Sequence, residues 1–332
     1  MPVRAESTGR VVFHADDFGM NAAVNLGILT AFREGLLTST SLLANAPAAE
    51  AACQEWPALV AEYTSNVLRS SDLRRQLGEP RLPFDLGVHL NLTQGRPLTG
   101  TQYPAELLNE RGHYPGIGRL FYRLNRATSA QLRSVEAELH AQIEWIFDRG
   151  LRPTHVNGHQ YIELIPQISA MIPEILRRYS IPTVRVAFER GLVRNVLMQG
   201  DVAGWGLALV KHHYARAFHR QMLSVKVAFP DRFYGTSHAG RINRELLLRF
   251  LSQSPKSECT EIGVHPAVES TSSDVPSDDP WFDPLAKSRP TELDWLCGAE
   301  LPEVLKNGKR TLGRLGSFGT MVQVGQQNQR PT

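Results

Sequence analysis

The chain has 332 residues and a mass of 37.0 kDa, room for two small domains or one large α/β unit. Hydrophobic residues make up 42% and charged residues 21%, an ordinary globular composition that excludes a mostly disordered chain. The formal net charge is only +3, and with no long basic run it gives no case for nucleic-acid binding.

The apolar run VVFHA predicts a first strand over 11–15. In 21–36, Val24, Ile28, Phe32 and Leu36 recur every four positions, one apolar stripe on a helix. Residues 62–81 are polar and read as a surface insertion. A second strand is predicted over 85–92. In 130–149, Leu132, Val135, Leu139, Ile143, Ile146 and Phe147 form another helical stripe, with Gly150 as the stop. A third strand is predicted over 153–157. Pro166 suits the first turn of a helix over 166–179, in which Pro173 is predicted to break or kink the pattern. Further strands are predicted over 183–187, 224–229 and 261–265. Residues 270–290, rich in Ser, Asp and Pro, read as a long loop, and 323–332 as a flexible tail. Strand-then-helix alternation predicts an α/β fold with a mostly parallel sheet and surrounding helices. The expected organisation is one domain over 1–322, embellished near 62–81 and 270–290.

No apolar stretch reaches the roughly 18 residues of a membrane span. The opening MPVRAESTGR has no apolar core and does not read as a secretory signal. Three scattered cysteines, Cys53, Cys259 and Cys297, suit reduced thiols. The expected location is the cytoplasm.

One regularity carries the functional argument: nearly every predicted strand ends in reactive polar residues. The first runs into Asp16-Asp17-Phe18-Gly19. The second carries His89 and Asn91, the third delivers His155, Asn157 and His159, the fourth holds Arg185, and a later one ends at His265. In parallel α/β folds the site lies at the carboxyl ends of the strands, where the loops converge. Neighbouring side chains of an extended segment point to opposite faces, but at a strand end the chain turns, and both Asp16 and Asp17 can line one cavity. The plainer alternative is that one of them caps the helix that begins near Asn21. His89, inside LGVHLNL, can equally be a satisfied core histidine, and His159 a loop residue. One carboxylate and two imidazoles from separate strand ends form a facial set for a divalent metal. Two imidazoles favour Zn²⁺ over Mg²⁺.

These motifs are familiar in combination. HADDFGMNAAVNLGILTAFREGLLTSTSLLANAP resembles the opening of the YdjC-like carbohydrate deacetylases; LGVHLNLT, HVNGHQYIELIP and EIGVHPA resemble the motifs that follow. The likeness runs over about 10–190 and again near 225–267, and the His-Pro-Ala ending is similar to the branch linked with hopanoid biosynthesis, HpnK. It implies a variant (β/α) barrel that removes acetyl groups from N-acetylated sugars. It also implies that Asp17, His89 and His159 hold one divalent ion (Zn²⁺ or Mg²⁺), with Asp16 as general base and His265 as general acid. Tyr161 stands where the family commonly has a second histidine, and the segments 62–81 and 270–290 have no clear family counterpart.

Around this set, Arg185 is a candidate contact for a sugar hydroxyl or anionic group, or else an ion-pair partner of Glu189. Tyr234 is a candidate for stacking on a sugar ring, or else a loop anchor. His238 reads as solvated, and Trp205, Trp281 and Trp295 as packing residues. The basic, amphipathic segment 201–223 reads as a helix packed on the barrel or in a homodimer interface; the alternative is peripheral membrane contact, which a lipid-linked substrate would require. A metal-dependent isomerase or phosphoesterase on a similar barrel would want more carboxylates, a second metal or an Arg/Lys cluster. A non-catalytic sugar-binding protein would need neither Asp16 nor His265.

Overall fold

Strand β1 (Gly9–Phe18) is buried almost from end to end, with Val11, Val12, Phe13, Ala15 and Phe18 fully so. A strand covered on both faces belongs in the middle of a parallel sheet, and β1 lies there in the computed structural model, which describes residues 9–64, 84–192, 202–236, 238–269 and 279–316. The other strands are β2 (Ser39–Leu42), β3 (Asp85–Leu90), β4 (His155–Gly158), β5 (Thr183–Val184), β6 (Arg232–Tyr234), β7 (Cys259–Val264) and β8 (Arg310–Leu312). Their order is β5-β4-β3-β2-β1-β7-β6, with β8 also on β1. Every pairing is parallel. A parallel bridge between Thr183 of β5 and Ala228, just ahead of β6, links the two ends of that order. The sheet therefore curls as a (β/α) barrel variant, and the carboxyl ends of its strands face one cavity.

Helices fill the connections: α1 (Ala22–Arg33), α2 (Ala49–Thr64), α3 (Ile117–Leu124), α4 (Ser129–Asp148), α5 (Pro166–Tyr179), α6 (Val202–Ser224), α7 (Arg244–Gln253), α8 (Arg289–Cys297) and α9 (Glu300–Asn307). The α1 stripe is buried as predicted. Its N-cap is Asn21, whose side chain accepts from Val24 N at 2.9 Å. Neither Asp16 nor Asp17 is used for that cap.

Several boundaries differ from expectation. The segment 224–229 is not a strand: Ser224 closes α6, Ala228 makes only the bridge, and the strand lies at β6. Strand β2 escapes a hydrophobicity reading because Ser39, Thr40 and Ser41 are polar yet fully buried. Their hydroxyls bond to Asp85, to the Ala15 carbonyl and to His89, which offsets the cost of burial. Pro173 does not break α5. It cannot donate to the Ser169 carbonyl four residues back, and Gln221 of α6 donates to that carbonyl instead, at 2.9 Å. Residues 62–64 are the last turn of α2, where Glu62 pairs with Arg33. The rest of the expected insertion, residues 270–278 of the expected loop and the tail lie outside the described residues. Segment 202–224 is helical, and among the described residues no helix is long and apolar enough to cross a membrane.

Candidate metal centre

The site begins where β1 stops being regular. Its register against β2 shifts between Ala15 and Phe18, and Asp17 takes a positive φ of 71°. A non-glycine residue there is strained and persists only where its surroundings hold it. The turn is secured by Met20 N donating to Asp17 O at 2.9 Å and Gly19 N donating to Asn25 Oδ1 at 2.7 Å. As a result the adjacent carboxylates of Asp16 and Asp17 both face the cavity.

Asp17, His89 and His159 each bring one donor atom to a common point, the three lying within 4.8 Å of one another. His159 Nδ1 is 2.9 Å and His89 Nε2 3.4 Å from Asp17 Oδ1. Two donors on one ion at ordinary bond lengths stand roughly 3.0–3.4 Å apart.

The hydrogen bonds behind these atoms determine their chemistry. Phe282 O can only accept, so Gln94 Nε2 faces it at 2.7 Å and Gln94 Oε1 faces His159 Nε2 at 2.8 Å. His159 Nε2 then carries a proton, and in the neutral ring Nδ1 turns a lone pair toward Asp17. Asn157 Nδ2 donates to Asp16 Oδ1 at 3.0 Å, so Asn157 Oδ1 accepts from His89 Nδ1 at 2.9 Å. His89 Nε2 likewise presents a lone pair. With both rings neutral, three acceptors are aimed at one another, an arrangement that suits a cation, and supporting bonds of this kind are what orient metal-ligating histidines. The residues present fit a divalent ion.

Burial favours the neutral form of Asp17, yet the Arg289 guanidinium outweighs it and holds the carboxyl well below the usual range. Arg289 Nη2 grips Asp17 Oδ2 at 2.6 Å, which leaves Oδ1 for the ion.

Asp16 is not in the donor set. Arg185 Nη1 donates to its Oδ2 at 2.7 Å. Burial would raise this carboxyl too, but Arg185 keeps it well below the usual range. The same guanidinium donates through Nε to Glu261 at 2.6 Å and through Nη2 to His14 Nδ1 at 2.6 Å. Because Arg185 only donates, His14 Nδ1 accepts. Burial and Arg185 push His14 down to about 3, so its 3.0 Å approach to Asp16 is not an ion pair. Burial pushes Glu261 up to about 7 against the pull of Arg185.

His265 completes the ring of polar groups. It follows β7, its backbone N donates to Glu292 at 2.6 Å, and its Nε2 stands 3.8 Å from Asp16 Oδ2. Gly27 lets this turn approach α1, since a Cβ there would collide with the Ala267 backbone.

The cavity holds about 550 Å³. Asp16, Asp17, His89, His159 and His265 line its floor, and Ile117, Phe121, Val210, Tyr214 and Leu285 its outer part. Two sequence candidates are placed elsewhere. Arg185 is fully buried behind Asp16 and absent from the lining; its ion-pair partners are Asp16 and Glu261. Tyr234 is buried against Phe250, ring stacked on ring with centroids 4.4 Å apart, and is also absent from the lining. Arg185 is held by its ion pairs and Tyr234 by packing, and neither reaches the cavity wall. His238, expected in solvent, is fully buried edge-on to Phe250, and burial lowers it to about 4. Trp281 and Trp295 pack as expected, against Gly95 and Phe13.

Sequence reasoning missed Gln94, Glu261, Asp283 and Arg289. Gln94 was within reach, two residues past the strand-end pair Asn91-Leu92 and just before a glycine. Arg289 was not, because nothing local to the end of a Ser/Asp/Pro-rich stretch marks a residue that reaches Asp17.

The chain is similar over most of its length to known proteins. It is 28% identical over 256 residues to a carbohydrate deacetylase of Geobacillus stearothermophilus, covering 77% of this chain and 78% of that one. It is 30% identical over 271 residues to a carbohydrate deacetylase of Mus musculus, covering 79% of each. A Vibrio cholerae carbohydrate deacetylase is 26% identical over 303 residues, 89% of this chain and 91% of the other. The fold matches a crystal structure from Enterococcus faecalis, named for an expected role in cellobiose-phosphate cleavage. The TM-score is 0.68 at 21% identity, over 94% of this chain and 99% of that one. The family model described as YdjC-like protein matches residues 10–307, a span that takes in Asp16, Asp17, His89, His159, His265 and Arg289 alike, and the chain belongs to that family.

Proposed function

We propose that the chain is a metal-dependent hydrolase that removes the acetyl group from an N-acetylated sugar, an N-acetylglucosamine-type oligosaccharide or glycoconjugate, releasing acetate. The observation that carries this reading is the convergence of Asp17 Oδ1, His89 Nε2 and His159 Nδ1 beside a separate ionised carboxylate, Asp16. The naming of relatives as carbohydrate deacetylases supports the substrate class.

Amide hydrolysis needs a polarised carbonyl, a deprotonated water and a proton for the departing amine. A divalent ion held by Asp17, His89 and His159 would supply the first and bring the pKa of water towards about 7; the two imidazoles suit Zn²⁺. Asp16 takes the proton from the attacking water. Arg185 keeps it ionised at some cost in basicity, and Asn157 fixes its orientation. His265 gives a proton to the leaving amine. Its Nε2 faces Asp16, and its Nδ1 lies 3.9 Å from Glu292, so a carboxyl group stands near each ring nitrogen. Among the described residues there is no second cluster of metal-binding side chains of the kind a two-metal isomerase or phosphoesterase uses.

The outer cavity favours a glycoconjugate over a free oligosaccharide. Ile117 and Val210 are exposed at its mouth, with Phe121 and Tyr214 in contact behind them. A sugar on the polar floor would leave an apolar aglycone against α3 and α6. The test is acetate release from N-acetylglucosamine oligosaccharides and from a lipid-linked N-acetylglucosamine, with chelator and after Zn²⁺ or Mg²⁺ is restored. Ion-dependent release, greater with the lipid-linked substrate, is expected. No release from any acetylated amino sugar in the presence of either ion overturns the reading.

A further inference from the structure

Segment 279–285 contributes Asp283, Pro284 and Leu285 to the cavity wall. It also reaches two of the three candidate ion ligands by independent routes. On the first, the Phe282 carbonyl accepts from Gln94 Nε2 at 2.7 Å, and Gln94 Oε1 accepts from His159 Nε2 at 2.8 Å. On the second, Arg289 donates through Nε to Asp283 Oδ2 at 2.6 Å and through Nη2 to Asp17 Oδ2 at 2.6 Å.

The local structure is shaped for these bridges. Asn91 Oδ1 accepts from Thr93 N at 2.9 Å and Gln94 N at 3.1 Å, while its Nδ2 donates to Gln94 O at 2.8 Å. This turn aims the Gln94 side chain. Gly95 follows with a φ of +75°, and its N donates to Pro280 O at 3.2 Å. A Cβ at Gly95 would come within 2.5 Å of the Trp281 indole, so only glycine admits the rim this close.

We propose that Gln94 and Arg289 are positioning residues that couple the rim segment 279–285 to His159 and Asp17, so that ion binding and rim ordering strengthen one another. This rests on the metal reading above. With His159 neutral, the lone pairs of Asp17 Oδ1 and His159 Nδ1 face each other at 2.9 Å. A cation between them removes their repulsion and lets both ligands settle in the orientation that their bridges favour. A ligand held still holds the far end of its bridge still. Linkage makes the effect reciprocal: whatever stabilisation the ion lends the rim, the rim lends to ion affinity. Neither residue is asked to touch the reacting atoms.

The test uses the full chain stripped by chelator and titrated with Zn²⁺ alone. Calorimetry reads affinity and stoichiometry, and hydrogen–deuterium exchange reads the amides of 279–285 with and without the ion. The wild type should bind one ion and show slowed exchange over 279–285. Gln94→Ala and Arg289→Lys should each bind Zn²⁺ about 10–100-fold more weakly and lose much of the ion-dependent protection. Arg289 is buried between two carboxylates; should its variant not fold, Gln94→Ala and Asp283→Asn carry the test. Asp283→Asn keeps the grip on Asp17 but weakens the bridge, and should cut the rim's protection more than the affinity. One Zn²⁺ bound with no change in rim exchange, or variants that bind as tightly as wild type, overturns the coupling and leaves the ion site standing. A wild type that takes up no ion overturns both.

Discussion

Asp16 divides its two oxygens between Asn157 and Arg185, and each partner is itself committed elsewhere, to His89 and to Glu261. The carboxylate is thereby fixed in place without being a ligand. Asp16→Asn should keep its metal, read by elemental analysis, and lose about 10²–10⁴-fold in turnover; near-normal acetate release would remove Asp16 as the base. Glu163 presents a different case. It is fully buried, neither carboxyl oxygen has a hydrogen-bond partner, and burial raises it from its ordinary 4.5 to about 8. The folded chain keeps this proton after the unfolded chain has released it. The group's contribution to stability is therefore intact below the unfolded value and is lost as pH rises through about 8. Glu163→Gln cannot ionise, so its melting temperature relative to wild type should rise between about pH 5 and pH 8. A constant difference across that range would mean Glu163 does not titrate there. That Asp16, Asp17, His89, His159 and His265 meet at one cavity was legible in the sequence, because strand ends of a parallel sheet converge. The placement of Arg185 and Tyr234 was not: a strand-end arginine can face the cavity or back a carboxylate, and only packing decides which.

At the scale of elements, the fold tolerates residues that a propensity argument rejects because neighbours satisfy them. In α5, Pro173 leaves the Ser169 carbonyl without its helical donor, and Gln221 of α6 supplies one at 2.9 Å. Gln221→Ala should cost about 1–3 kcal/mol, the penalty of an unsatisfied buried group, and lower the melting temperature by a few degrees. Adding Pro173→Ala should recover most of that loss, since an alanine at this position would offer the missing N–H. Equal losses in both backgrounds would refute the explanation. The same satisfaction by neighbours hid β2 from a reading by apolar pattern: its three polar residues find partners in β1 and β3. The helix α4 was read to within a residue at each end, and α1 from its start to three residues short of the expected end, because stripe, cap and stop are local signals.

At the scale of the whole molecule, an ion bound only by the folded state must stabilise it by mass action, by about 2.7 kcal/mol at a hundredfold excess over its dissociation constant. Zn²⁺ should therefore raise the melting temperature of the stripped protein, and His159→Ala should abolish most of the response. A wild type indifferent to Zn²⁺ would show that the triad is no ion site. By itself the sequence determined the class of fold, much of the alternation of strand and helix, and the residues that gather at the strand ends, because apolar periodicity and strand direction are local or nearly so. Only the tertiary structure decided which atoms of those residues are donors and which are bare lone pairs. That depends on partners far along the chain: Phe282 sets the face of Gln94 and so the tautomer of His159, Asp16 sets the face of Asn157 and so that of His89, and Arg289 leaves Asp17 one free oxygen. Hydrogen-bond direction passes from group to group through space, and no spacing along the sequence encodes it.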